Sequence, residues 1–397
     1  MKYSPGRHFL QIPGPTNTPL RILAAVAKPT IDHRGPEFAE LGLNVLTRIR
    51  SVFKTNSPVI IYPASGTGAW EAALVNTLSP GDRVLMFETG WFSTLWSKMT
   101  KALGLDAEII GGDWRSGVNA GAIEVRLRAD KHHAIKAVAV VHNETSTGVT
   151  SDVAAIRKAI DNAKHPALLL VDTISSLASI DYRHDEWGVD VTVGGSQKGL
   201  MLPPGLAFNA ISDRAVEASK NTKFPRSFLG WNEMLVSNAI GFFPYTPSTN
   251  LLQGLRVALD LIEEEGLEEI FVRHDRAALA TRRAVEQWGF DTQCRNASEF
   301  SSSLTAVRLP EGHSADALRS EVLQRANMSL GNGLGPLADR VFRIGHLGDF
   351  SNSSLLGTLA AIEMGLKARG VPYGRGGVEA AADVLLGNSP PIAQAAE

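Results

Sequence analysis

Cysteine is nearly absent from this chain, which carries a single one, Cys294, among 397 residues. One cysteine excludes an intramolecular disulfide and a cysteine-ligated zinc cluster, and it is typical of proteins in a reducing compartment. Long apolar runs are missing as well, since no stretch of about 18 apolar residues could span a bilayer. Met1–Arg7 lacks the apolar core of a secretory signal. We therefore expect a cytoplasmic protein that does not contact a membrane.

An excess of charge of either sign is also missing. Lys and Arg together number 39 and Asp and Glu 41, so the formal net charge is −2. This balance gives no basic surface for nucleic acid. The hydrophobic fraction of 44% and the charged fraction of 20% are those of a globular protein. The chain is long enough for two or three domains.

Short apolar runs alternate with helical patterns through the first half of the chain. Such alternation predicts an α/β fold with a mostly parallel sheet of seven strands, flanked by helices. The predicted strands are Val59–Tyr62, Arg83–Phe87, Ala107–Ile110, Ala137–Val141, Ala167–Val171, Val189–Val193 and Leu206–Ile211.

The later part of the chain has a different pattern, which predicts further domains. Apolar residues recur at helical spacing through 250–288, with a break at Gly266. Beyond them, strands and helices alternate as in a small α+β domain. We expect an extended arm at 1–20, a large domain at 21–270, a small domain at 271–375 and a tail at 376–397.

One glycine-flanked loop follows the sixth predicted strand and contains Lys198 in the sequence Gly-Gly-Ser-Gln-Lys-Gly. Glycine lets a backbone approach a ligand closely. A lysine that is partly removed from water loses its proton more readily, and a neutral amine can form a Schiff base. The alternative is an ordinary solvated loop lysine.

An aspartate upstream supports the interpretation of Lys198 as a reactive lysine rather than a solvated loop lysine. Asp172 ends the buried run Ala167–Val171, at the carboxyl edge of the sheet where α/β proteins bind ligands. The 26 residues from 172 to 198 leave room for a crossover between neighbouring strands. Pyridoxal phosphate needs a lysine for its aldehyde and a carboxylate to keep its ring nitrogen protonated. We therefore predict Lys198 and Asp172 as the catalytic pair, although a cap or turn role for Asp172 is the alternative.

A second glycine-rich turn lies between the first predicted strand and its helix, at Ser65, Gly66, Thr67 and Gly68. A strand-to-helix turn offers free N–H groups at the positive end of the helix dipole, which suits a phosphate. It lacks the lysine of a Walker loop. It also lacks the glycine at the sixth position of a Rossmann Gly-x-Gly-x-x-Gly motif, where this chain has Glu71. An ordinary N-capped turn is the alternative reading.

Three more residues are candidates because of where they stand. Phe92 could stack on an aromatic ring, and Thr145 follows the strand that ends at Val141. Arg343 is a charged residue within the apolar run Phe342–His346, and its guanidinium could bind a carboxylate. The alternative for Phe92 is packing in the core, for Thr145 a turn, and for Arg343 a surface ion pair. No metal site is predicted.

Together these residues resemble the class V, fold-type I pyridoxal phosphate enzymes, in the group of serine–glyoxylate and alanine–glyoxylate aminotransferases. The resemblance covers nearly the whole chain. It runs through five motifs: Pro-Gly-Pro-Thr-Asn at 13–17, Ser-Gly-Thr-Gly at 65–68, His-Asn-Glu-Thr at 142–145, Gly-Ser-Gln-Lys at 195–198 and Phe-Arg-Ile-Gly-His-Leu-Gly at 342–348.

The resemblance implies a role for each matching residue. Lys198 would carry the cofactor as a Schiff base and Asp172 would pair with its ring nitrogen. Phosphate contacts would come from Ser65, Gly66, Thr67 and Gln197, with Phe92 stacked on the ring and Thr145 in contact with the cofactor. Substrate contacts would come from Arg343, Thr145 and Asn17.

The resemblance also implies a homodimer whose subunits complete each other's active sites. Tyr245 and Thr246 would reach the partner's cofactor. The family often has tyrosine where this chain has Phe243, and glycine where it has Thr173. These differences affect the amino donor more than the reaction.

The implied reaction moves an amino group from an L-amino acid, with serine favoured, to glyoxylate, giving glycine and hydroxypyruvate. Its partners are therefore small amino acids and 2-oxo acids. Aspartate, alanine and ureidoglycine remain as alternative donors. A cysteine desulfurase would need a mobile nucleophilic cysteine, which Cys294 does not resemble, and a colourless nucleotide-binding protein is the non-enzymatic alternative.

Overall fold

A seven-stranded sheet forms the centre of the large domain in the computed structural model, which describes residues 6–387. The described strands are β1 Phe9–Gln11, β2 Val59–Tyr62, β3 Arg83–Phe87, β4 Asp106–Ile110, β5 Ile135–Val141, β6 Asn143–Glu144, β7 Val149–Thr150, β8 Leu168–Asp172, β9 Val191–Gly195, β10 Ala207–Ile211, β11 Leu304–Arg308, β12 Met328–Asn332 and β13 Val341–Gly345. The strand order of the seven-stranded sheet is β2-β10-β9-β8-β5-β3-β4, and among these strands only β10 is antiparallel to its neighbours. The predicted α/β class and the mostly parallel seven-stranded sheet are confirmed.

Helices cover both faces of this seven-stranded sheet and also pack against a second sheet of four strands. The described helices are α1 Leu20–Val26, α2 Pro36–Phe53, α3 Gly66–Thr77, α4 Trp91–Ala102, α5 Ala120–Ala129, α6 Val153–Asn162, α7 Asp213–Ser219, α8 Trp231–Asn238, α9 Thr249–Glu265, α10 Leu267–Trp288, α11 Ala315–Ala326, α12 Asn352–Ala368 and α13 Gly377–Leu385. Two short 3₁₀ helices lie at Ala297–Glu299 and Gly335–Leu337. The long helical pattern divides at Gly266, where φ is +86°, a backbone conformation that glycine adopts without steric cost.

Strand β8 shows why the central strands read as continuous apolar runs. Successive side chains of a strand point to opposite faces. Leu168 and Leu170 belong to one hydrophobic cluster, whereas Leu169 and Val171 belong to another. Because both faces are covered, no polar alternation remains, and the first polar residue, Asp172, marks the carboxyl edge of the sheet.

A second sheet of four strands, in the order β1-β12-β13-β11, forms the small domain. Strand β1 lies within the segment that we expected to be an extended arm. It pairs in parallel with β12, with Leu10 opposite Ser329, and the Gln11 carboxamide also donates to the carbonyl of Gly345. Three residues next to a Pro- and Gly-rich stretch are too few to give a strand pattern in the sequence. Strand β1 is therefore recognised only by its pairing with β12 in the structure.

Helix α13 lies in the stretch 376–397 that we predicted as a tail. It packs against α10, with Ala381 and Val384 buried in the small-domain core. The Gly- and Ala-rich composition concealed this apolar spacing. The end of the predicted tail, 388–397, lies outside the described residues.

Neither a membrane span nor a metal cluster is found in the part of the chain that the structure describes. Within 6–387, every helix is too short or too polar to cross a bilayer. The same residues hold no group of three or more His, Cys, Asp or Glu side chains arranged to bind a metal ion.

We predict that Leu359→Ala destabilises the protein by about 2–5 kcal/mol, because its side chain is fully buried in the small-domain core and truncation leaves a cavity. Leu323→Ala is the matched control on α11, since Leu323 is 45% exposed, and it should change stability by about 0.5 kcal/mol or less. Urea denaturation followed by circular dichroism measures both. Equal effects would contradict this description of the core.

Candidate active site

A cavity of about 110 Å³ opens at the carboxyl edge of β8 and β9. Parallel strands deliver their following loops to the same edge of a sheet, so residues distant in sequence meet there. The cavity is lined by Ser65, Gly66, Thr67, Trp70, Phe92, Thr145, Asp172, Ile174, Gln197 and Lys198. The structure thus brings together eight of the residues that we predicted for the site, and adds Trp70 and Ile174.

Lys198 lies on the loop after β9 and is buried. Its amine donates a hydrogen bond to the carbonyl of Pro13, on the segment that follows β1. Burial lowers the pKa of this amine to about 8, and the Arg343 charge acts in the same direction, while Asp172 opposes them. About a tenth of the amine is therefore neutral and nucleophilic at pH 7, far more than for a lysine at the surface.

Asp172 ends β8, and both of its carboxylate oxygens accept hydrogen bonds. The backbone N–H of Ile174 donates to Oδ1 at 2.7 Å, and the indole Nε1 of Trp70 donates to Oδ2 at 3.0 Å. Burial raises the pKa of the carboxyl to about 7, with a smaller increase from Glu144. The two hydrogen bonds and the Lys198 charge favour the ionised form.

The turn at Ser65 presents unpaired polar groups to the cavity. Ser65 is the N-cap of α3, but its hydroxyl makes no capping hydrogen bond. A Cβ on Gly66 would lie 2.6 Å from Cγ1 of Ile174, so the close approach requires glycine there. Gln197 Oε1 is buried and finds no hydrogen-bond partner within residues 6–387. These groups suit a phosphate at the positive end of α3.

Phe92 stands in the first turn of α4, and a buried carboxylate secures that turn. Glu144 accepts hydrogen bonds from the backbone N–H groups of Phe92 at 3.3 Å and Ser93 at 3.1 Å. It also accepts from the Ser146 hydroxyl at 2.7 Å. Burial raises the pKa of Glu144, while these donors oppose that shift. Glu144 therefore fixes the position of the Phe92 ring in the cavity wall.

Thr145 connects the cavity to Arg343 on β13. The Thr145 hydroxyl donates to Ser175 Oγ at 2.8 Å, and its carbonyl accepts from Arg343 Nη1 at 2.8 Å. Arg343 Nε donates to the carbonyl of Asn332 at 2.8 Å. Arg343 is 7% exposed, and burial lowers its pKa to about 10, with Glu144 acting in the opposite direction. The guanidinium thus stays charged just behind the cavity wall.

Besides Arg343, three predicted site residues do not line this cavity. The Asn17 carboxamide is occupied by the backbone of Leu10, accepting from its N–H at 3.1 Å and donating to its carbonyl at 2.9 Å. Tyr245 stacks on Phe228 with ring centroids 4.3 Å apart, and its buried hydroxyl has no hydrogen-bond partner within residues 6–387. Thr246 is exposed.

The Aminotransferase class-V family model matches residues 9–334 of this chain. The chain is a class V aminotransferase. It is 46% identical over 392 residues to the serine–glyoxylate aminotransferase of Arabidopsis thaliana, with 98% of each chain covered. It is also 46% identical over 372 residues to the L-aspartate–glyoxylate aminotransferase of Paracoccus denitrificans, with 94% of each covered.

The same family appears among solved structures. The pyridoxamine–pyruvate aminotransferase of Mesorhizobium loti superposes with a TM-score of 0.91 at 27% identity, covering 98% of this chain and 100% of that one. The predicted fold-type I architecture is confirmed. Pyridoxal phosphate is the cofactor of this class V aminotransferase.

The cavity fits that cofactor on features of its own. A buried amine of lowered pKa, a buried carboxylate and an uncapped helix terminus are the three groups that an aldehyde, a ring nitrogen and a phosphate require. The unpartnered Gln197 Oε1 and the glycine at 66 leave polar capacity and space at the phosphate end.

Sequence reasoning missed several residues that shape the site. Trp70 donates a hydrogen bond to Asp172. Glu144 accepts one from the turn that carries Phe92. Gly14 allows the N-terminal segment to pass over Lys198. The available signal for Trp70 was a tryptophan one turn into the helix that follows the Ser65 turn. Glu144 stood within the quoted His-Asn-Glu-Thr motif, but no pattern assigned it a role.

Thr173 and Phe243, the two positions that we expected to differ from the family pattern, have structural partners. The Thr173 hydroxyl donates to the carbonyl of Val193 at 2.9 Å and so ties β8 to β9. The Phe243 ring packs edge-on against Phe38 at 6.1 Å.

Cys294 does not have the environment of a nucleophile. It is buried, and burial raises the pKa of its thiol to about 12. It lines a separate small cavity with Arg282 and Ser301. This argues against the desulfurase alternative.

We predict that Gly14→Ala weakens pyridoxal phosphate binding tenfold or more. A Cβ there would lie 2.7 Å from Lys198 Nζ, at a φ of +89° that L-residues rarely adopt. Gly6→Ala is the matched control, because Gly6 also has a positive φ, +84°, but nothing within 4 Å. Absorbance titration of the apoprotein with the cofactor compares the two. Similar affinities would show that the close approach to Lys198 is unimportant.

Proposed function

We propose that this aminotransferase transfers the amino group of an L-amino acid, preferentially serine, to glyoxylate, giving hydroxypyruvate and glycine. The observation that carries the chemistry is the buried Lys198 amine beside Asp172 in one cavity, with Arg343 behind its wall. The donor and acceptor are inferred from relatives named serine–glyoxylate aminotransferases, 46% identical over nearly the full chain.

The roles of the cofactor-binding residues follow from their chemistry. When bound, pyridoxal phosphate supplies an aldehyde carbon for amine exchange and a protonated ring that accepts an electron pair. Ser65, Gly66, Thr67 and Gln197 would hold the phosphate, and Phe92 would stack on the ring. Asp172 would hold the proton on the ring nitrogen.

Lys198 would act as both the attachment point and the general base. The lowered pKa of about 8 leaves the free Lys198 amine partly neutral, so it could take a proton from the substrate Cα and return it. Because donor and acceptor use the same site in turn, we expect ping-pong kinetics.

Arg343 is the candidate group for the substrate carboxylate. Its Nε and Nη1 atoms are committed to backbone carbonyls, which fixes the orientation of the guanidinium. Within residues 6–387, Nη2 makes no side-chain hydrogen bond. A fixed cation at the cavity wall suits an α-carboxylate, which amino acids and 2-oxo acids share.

Aspartate is the strongest alternative donor, because the L-aspartate–glyoxylate enzyme of Paracoccus denitrificans is also 46% identical to this chain. Alanine and ureidoglycine are further alternatives within the same family. The side-chain end of the substrate pocket is formed by loops whose sequence does not specify one donor.

We predict that glycine forms from glyoxylate fastest with serine when serine, alanine and aspartate are compared as donors by kcat/KM. Lys198→Ala is the control and should give no turnover, since the chain then lacks both attachment point and base. A higher kcat/KM for aspartate than for serine would assign the enzyme to the alternative donor.

We also propose a homodimer in which each subunit completes the other's site. In support, Tyr245 and Thr246 lie outside the cavity of their own subunit, and the Tyr245 hydroxyl is buried and unpaired within residues 6–387. Apolar side chains nearby are exposed, namely Leu43, Val236 and Ile240, as expected of a surface covered by a partner. The cytoplasmic location stays a prediction.

We predict that two inactive variants complement each other when co-expressed, one carrying Lys198→Ala and the other Tyr245→Phe with Thr246→Val. In a mixed dimer one site holds both lesions and the other holds neither, so the purified mixed dimer should show about half of the wild-type activity per site. Activity of the purified mixed dimer, tagged differently on each subunit, measures this. An inactive mixed dimer would place both lesions in the sites of their own subunits.

A further inference from the structure

We propose that Trp70 is a positioning residue that orients Asp172 toward the cofactor ring and favours its ionised form. This inference rests on the proposed function only through the role of Asp172 as partner of the ring nitrogen.

The contact between Trp70 and Asp172 is direct and shielded from water. Indole Nε1 donates to Oδ2 at 3.0 Å, and the exposed fractions are 3% for Trp70 and 4% for Asp172. Ile174 N–H holds the other oxygen at 2.7 Å. Two donors on different elements fix the plane of the carboxylate, and each oxygen keeps lone-pair capacity for a further donor from the cavity.

The Trp70 ring is itself fixed by a second tryptophan. Its centroid lies 5.8 Å from that of Trp96, with an interplanar angle of 12°, and Trp96 is fully buried. Trp70 lies on α3, one turn after the phosphate-binding Ser65 turn, and Trp96 lies on α4, one turn after Phe92. The stacked pair therefore joins the two helices whose first turns hold opposite parts of the cofactor site, and Trp70 connects this pair to Asp172.

The charge of Asp172 depends on a small set of neighbours. Glu144 disfavours ionisation and Lys198 favours it, while the Arg343 charge acts on Lys198. Burial is the largest influence and disfavours the ionised carboxylate, whereas the N–H groups of Ile174 and Trp70 favour it, Ile174 more than Trp70. A hydrophobic ring in its place would leave the same burial and remove the donor.

The test follows the Asp172 carboxyl in the apoprotein, where neither cofactor nor substrate is needed. Protein labelled with ¹³C at aspartate carboxyls is titrated by NMR, and the Asp172 resonance is identified as the one lost in Asp172→Asn. Trp70→Phe should raise the midpoint by about one pH unit, because a hydrogen bond to a charged group is lost. Trp96→Phe is the matched control. It keeps an aromatic ring against Trp70 and leaves the Trp70 hydrogen bond to Asp172 in place, so the midpoint should stay within about 0.2 unit of wild type.

A second variant separates the hydrogen bond from ring packing. Benzothienylalanine introduced at position 70 keeps the size and stacking of indole but has sulfur in place of N–H, so it should raise the midpoint as much as Trp70→Phe does while the thermal midpoint stays close to wild type. A carboxyl midpoint within about 0.2 unit of wild type in a folded variant at position 70 would overturn the proposal. That result would leave the donor preference unaffected, just as a failed donor comparison would leave this titration unaffected.

Discussion

The burial of one amine and one carboxylate in the same cavity is the constraint on which the rest of this site depends. Removing Lys198 and Asp172 from water disfavours the charge on each, which brings their pKa values to about 8 and about 7. Two groups that would be fully charged on the surface therefore become able to exchange protons near neutrality. The surrounding hydrogen bonds, from Ile174 and Trp70, limit the shift of the Asp172 pKa by stabilising the ionised carboxylate.

Support for these two groups comes from elements that are distant in sequence. The central sheet supplies Asp172 and the Lys198 loop, and the first turns of α3 and α4 supply the other walls. Glu144 ties the α4 turn to the loop that carries Thr145, and Thr145 in turn receives Arg343 from the small domain. A change in the packing of the small domain would thus be transmitted to the cavity through a short chain of hydrogen bonds.

Features of the fold and the site that depend on local sequence patterns could be predicted from the sequence alone. Strand ends are marked by a change from apolar to polar residues, so the positions of Asp172 and Lys198 at one edge could be predicted, and family motifs assigned further residues around them. Contacts such as Trp70 with Asp172, or Gln11 with Gly345, depend on tertiary packing and have no sequence period. Asn17 was predicted at the substrate, but its carboxamide is paired with Leu10, a local partner that the motif alone does not reveal. Helix α13 was missed because alanine and glycine carry a weak hydrophobic signal.

Strand β1 has a consequence for the order in which the enzyme assembles. Phe9 pairs with Met328, so β1 joins its sheet only through a contact between residues that are far apart in sequence, and such contacts form slowly because a long loop must close first. The backbone between β1 and α1 passes directly over Lys198. Enclosure of the buried amine is therefore tied to the pairing of β1 with β12, and loss of that pairing would expose the amine to water.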